Sequence, residues 1–112
     1  MSESLVDPQA ALTATRARLD QLQARYHEEA RNPSSFAAAW TANLELLAAL
    51  AVDRVLVARV NNDVLAFADA DLLARSIAVE IEKAQTALGS LDRVAALAAL
   101  DRCWALLDAP VP

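Results

Sequence analysis

The chain has 112 residues, 56% of them hydrophobic and 22% charged, with a formal net charge of −5. That composition excludes a disordered chain, and ten basic residues interspersed with acids do not make the clustered basic face that a nucleic-acid binder needs. The single cysteine, Cys103, excludes an internal disulfide, so the expectation is one soluble, cytoplasmic domain over residues 1–112.

The N-terminal "MSESLVDPQ" is too acidic and polar for a secretory signal. No uncharged stretch approaches the ~20 residues that span a bilayer. The chain holds a single glycine, at position 89, whereas tight hairpins and phosphate-cradling loops both lean on glycine. About a quarter of the residues are alanine, and with Leu, Arg, Glu and Gln they favour helices joined by short turns.

The first helix is predicted over 8–31. Asp7 supplies an N-cap and Pro8 suits the first helical position. Leu12, Thr15, Leu19, Leu22, Tyr26 and Ala30 follow at steps of three and four and form one apolar stripe. "NPSS" then breaks the helix.

The second helix, over 35–60, is apolar all round: Leu44, Leu46, Leu47, Leu50, Val52, Val55, Leu56, Val57 and Val60 point in every direction. Such a helix is buried on all sides, which in so short a chain suggests a partner surface. A rival reading makes an α+β fold, with a β-hairpin at about 54–68 turning on Asn61-Asn62. Neither arm alternates cleanly, and an isolated hairpin is marginal in water.

The third helix, over 63–88, has a narrow seam of Ala66, Ala70, Leu73, Ile77, Ile81, Ala84 and Leu88, with Asp71, Arg75, Ala78, Glu82 and Gln85 outside. Gly89 is expected to cap it, and Ser90 to start a fourth helix over 91–108 that buries Val94, Leu97, Leu100, Trp104 and Leu107 and stops before "APVP". Similar helix lengths and short turns predict an all-α, up-down-up-down four-helix bundle.

Few residues invite a chemical reading. His27 lacks a carboxylate three or four residues away on an inward face and falls on the polar side of its helix, so it reads as a surface residue. Glu28 and Glu29 sit where the helix dipole disfavours acids, and are expected to pair with Arg25 and Arg31. Glu45 and Glu80 are expected at seam edges, where they tune register or pair with an arginine of a neighbouring chain; Arg54 is the obvious partner, in a pair specific to an interface. Cys103 has no activating neighbours and reads as a small buried hydrophobe. No catalytic residue, metal ligand or cofactor site emerges.

The functional expectation is therefore a non-enzymatic bundle that works by protein–protein association. Its first partner is a second copy, giving a homodimer, with another protein as a further possibility and neither nucleic acid nor membrane as a partner. The expected interface is Phe36, Trp40, Leu46, Leu50, Arg54, Val57 and Val60 on the second helix. The alternative is a small apolar ligand in an internal pocket lined by Trp40, Phe67 and Trp104.

Overall fold

The computed structural model describes residues 7–108. The expectations for the N-terminal segment before Asp7 and for the stop at "APVP" lie outside those residues. The described chain is all-α, with α1 (Pro8–Arg31), α2 (Phe36–Val60), α3 (Val64–Gly89) and α4 (Arg93–Asp108) joined by short turns. The predicted helices differ from these by no more than two residues at any end.

The Asp7 cap acts as expected, and Ser35, expected only as the start of the second helix, serves as the cap of α2. The Asp7 carboxylate accepts the Gln9 N–H at 3.1 Å, and the Ser35 hydroxyl accepts the Ala38 N–H at 2.9 Å. The β-hairpin alternative over 54–68 is overturned: α2 runs unbroken to Val60, and a tight turn leads straight into α3. Asn62 takes a left-handed conformation there, φ 53°, and the Asp63 N–H returns to the Ala58 carbonyl at 3.0 Å, which satisfies the last turn of α2. Asp63 then caps α3 through the Ala66 N–H. Asparagine tolerates that backbone, whereas the valines that suggested strands are held by helix packing.

The α3–α4 turn corrects a second expectation. Gly89 ends α3 with no positive φ, and the left-handed position falls to Leu91, φ 59°. The cap of α4 is Asp92, whose carboxylate accepts the Ala95 N–H at 3.1 Å, rather than Ser90. A leucine in that conformation costs roughly 1–2 kcal/mol, and Leu91 is exposed. Leu91→Gly is therefore expected to raise stability by roughly 0.5–1 kcal/mol once its looser unfolded chain is counted. Leu91→Ala keeps the strain and is expected to give no such gain in a urea titration.

The helices form an open four-helix bundle with α2 at its centre. α1 packs on α2, α3 packs on both α2 and α4, and α4 touches α2 lightly. Among the described residues no α-carbon of α1 comes within 8 Å of α3 or α4. The rings of Tyr26 and Trp104, with centroids 6.3 Å apart, lean across that gap, and Pro8 of α1 lines a depression with Val64 and Phe67 of α3. The radius of gyration, 15.3 Å, accordingly exceeds the ~13 Å of a compact domain of this size.

Two apolar clusters explain why α2 is greasy all round. One face of α2, with Trp40, Leu44, Leu47 and Ala51, meets Ile77 and Ala84 of α3 and the buried face of α4. Another face, with Leu46 and Ala49, meets Leu19 and Leu22 of α1. Most of the wheel is thus covered by the chain's own helices.

α4 departs most from expectation. Its buried residues are Ala96, Ala99, Leu100, Cys103 and Leu107, while Val94 is 79% and Leu97 47% exposed. Small residues let α4 lie close against α3, and that rotation turns Val94 and Leu97 outward. Ala30 and Ala66, expected on seams, are exposed as well.

Candidate functional site

Three ion pairs among the described residues clip one helix to another. Arg16 reaches Asp53 at 3.1 Å and Arg25 reaches Glu45 at 3.2 Å, joining α1 to α2. Glu80 on α3 holds Arg102 on α4 at 2.8 Å and Lys83 at 3.6 Å. Within the chain Arg54 pairs with neither glutamate. It donates to the Leu107 carbonyl, one of the acceptors that the end of α4 leaves without a helical partner. Glu29 likewise does not pair with arginine. Its carboxylate accepts from the Ser34 N–H and hydroxyl, each at 3.0 Å, and so holds the α1–α2 turn.

Hydrogen bonding to Arg102 is the main reason that the Glu80 carboxyl titrates below its ordinary value of 4.5; desolvation opposes it, and the nearby Arg102 and Lys83 charges add to it. A depressed folded value means stability that is present above pH 4.5 and is lost as pH falls through the folded value. Glu80→Gln is expected to narrow the difference in urea midpoint between pH 7 and pH 3. An unchanged difference would show that the pair is stability-neutral, as many solvent-facing ion pairs are.

His27 is exposed, its ring tilted against Tyr26 at 5.6 Å. Cys103 is fully buried, and burial pushes its thiol above the usual range. Among the described residues no group of three His, Cys, Asp or Glu side chains is placed to hold a metal ion. None of the described helices is long and apolar enough to cross a membrane.

The three residues of the ligand-pocket alternative stand in different surroundings. Trp40 lines an open depression of about 460 Å³ between α2 and α3, with Thr41, Leu44, Ile81 and Leu88. Phe67 lines another at the far end of α2, beneath the Arg59 guanidinium at 5.9 Å. Trp104 sits on the α1 side, its indole N–H donating to Asn43 Oδ1 at 3.0 Å.

The seven residues of the expected interface are likewise divided. Trp40 and Leu46, each 3% exposed, lie inside the two clusters. Leu50 touches both. Phe36 stacks on Trp40 at 5.6 Å with Arg93 over its other face at 4.5 Å. Arg54 is engaged with α4, and Val57 and Val60 are half-buried.

The open apolar surface lies elsewhere. Leu65, Leu72 and Val79 on α3 are 80%, 65% and 52% exposed, and Leu91 and Val94 beside α4 are 85% and 79% exposed. No family model, curated protein or solved structure matches the chain. The surface must therefore be read from its own chemistry.

Sequence reasoning assigned only polar and small residues to the outside of α3 and missed Leu65, Leu72 and Val79. Their signal was present: they recur every seven residues, on the face away from Ala70, Ile77 and Ala84. The periodicity of the buried seam is the stronger pattern and masks them.

Proposed function

We propose that the chain is a non-enzymatic helical association module of the cytoplasm whose first partner is a second copy of itself. The observation that supports this reading is the exposed Leu65–Leu72–Val79 row on α3, beside an α4 that turns Val94 outward. Scattered surface leucines need no explanation, but an ordered apolar row on a small acidic chain is an interaction surface awaiting cover. The reading keeps the association expected from composition but moves its centre from α2 to α3, because α2 is already occupied by α1, α3 and α4.

Mass in solution tests it. Sedimentation or light scattering between about 1 and 100 μM is expected to give a mass rising toward twice 12.0 kDa. A constant monomer mass across that range would remove the reading.

A second reading, binding of a small ligand, draws on the depression beside Trp40, whose indole N–H is buried without an acceptor among the described residues. It ranks second because that depression is open, whereas ligand sites enclose most of their ligand. Quenching or shift of tryptophan fluorescence on titration with an apolar probe, lost in Leu88→Arg, would favour it.

A further inference from the structure

We infer that the outer face of α3 receives the same face of a second copy, running antiparallel, about a twofold axis at Leu72. This rests on the self-association proposed above and adds the surface, the direction and the register.

The argument comes from the order of residues along that face. In an antiparallel pair of identical helices, the residue k places after the axis lies opposite the residue k places before it in the partner. Around Leu72 the apolar residues fall seven places to each side, at Leu65 and Val79. Leu65 then meets Val79 of the other copy, and Leu72 meets itself. Three places to each side stand Asp69 and Arg75, of opposite charge. The same operation that stacks the apolar residues therefore sets each Asp69 against an Arg75. A parallel pairing would place like charges at equal heights instead.

Both charges are available. Asp69 is exposed and makes no ion pair among the described residues, and Arg75, 77% exposed, holds only Asp71 one turn earlier on its own helix, at 3.1 Å. A guanidinium with five donors takes a second carboxylate without releasing the first.

The neighbouring helix leaves room. Arg102 marks the side of α4 that faces α3, through Glu80. Ala95, Ala98 and Ala105 stand at i−7, i−4 and i+3 from it, on the same side, and all three are exposed. Apart from Arg102 itself, held by Glu80, α4 thus presents methyl groups on that side. Three apolar layers and two peripheral ion pairs make a modest interface, so the dissociation constant is expected on the order of micromolar.

Cysteine cross-linking in the full chain tests the register, because the native Cys103 is buried and stays out of the reaction. Under mild oxidation, Leu72→Cys is expected to give a covalent dimer by itself. Leu65→Cys and Val79→Cys are expected to give none alone, and a covalent heterodimer when mixed. As an independent arm, Asp69→Arg or Arg75→Asp is expected to weaken the wild-type dimer about tenfold, and the double swap to restore it.

Self-linking at all three cysteine positions would mean a parallel pair and overturn the proposal. No linking at any of them, with a dimeric wild type, would overturn this face and register while sparing self-association. A monomeric wild type at about 100 μM would overturn both and leave the row to a partner of different sequence.

Discussion

Leu47→Ala is expected to lower the free energy of unfolding by about 2–5 kcal/mol, the largest loss from any single leucine of this chain. Leu47 has no exposed surface and sits where α2, α3 and α4 converge, beside Ile77 at 1% exposure and Cys103 at 0%. Deleting its side chain leaves a cavity that neighbouring alanines are too small to fill. A domain of this size holds about 5–15 kcal/mol in all, so the variant keeps only part of its stability. In thermal unfolding a 3 kcal/mol loss corresponds to a fall of roughly 10–20 °C. Leu97→Ala, on the same apolar count a comparable change, is expected to cost well under 1 kcal/mol because Leu97 is 47% exposed. Equal losses at the two positions would refute the orientation of α4.

Trp40→Ala comes next, with an expected loss of roughly 3–5 kcal/mol. It removes the largest buried side chain of α2 and the stacking partner of Phe36. The informative variant is Trp40→Phe. The Trp40 indole N–H is buried without an acceptor among the described residues, and an unpaired buried donor costs about 1–3 kcal/mol. Phenylalanine loses some packing and also loses that unpaired group, so the two effects offset and the net change is expected within about 1 kcal/mol. Trp104→Phe is the control. There the N–H is bonded to Asn43 Oδ1 at 3.0 Å, and its removal is expected to cost about 1–2 kcal/mol. Urea titration of the pair decides the matter: a larger loss at Trp40→Phe than at Trp104→Phe would mean that the Trp40 N–H has a partner after all.

These contrasts separate what local pattern encodes from what packing selects. Helix ends were legible because Asp7 and Ser35 act through bonds to neighbours a few residues away and Pro8 through its fixed φ. Asn61-Asn62 was legible as a turn between two helices, but valine-rich flanks suit strands and buried helices alike and left the hairpin as a rival. The cap of α4 was misassigned by two residues: Ser90 and Asp92 both satisfy local rules, and only the path of the chain from α3 to α4 chooses between them.

Partners of the charges were less legible still. Glu45 and Glu80 were recognisable as seam-edge acids, but their arginines, Arg25 and Arg102, come from different helices 20 and 22 residues away. Spacing along one helix carries no information about such pairs.

By itself, then, the amino-acid order determined four helices, their lengths and their antiparallel sequence, because backbone propensity, capping and a 3.6-residue period are local properties. Tertiary structure alone decided which apolar faces are covered. α2 and α4 each carry more apolar residues than one face holds, and hydrophobicity has no direction. The choice falls to fit: three neighbours cover most of α2 and leave Val52 46% exposed, and α4 turns Ala96, Ala99 and Cys103 inward because small side chains let two backbones approach. Leu65, Leu72 and Val79 are what that choice leaves outside.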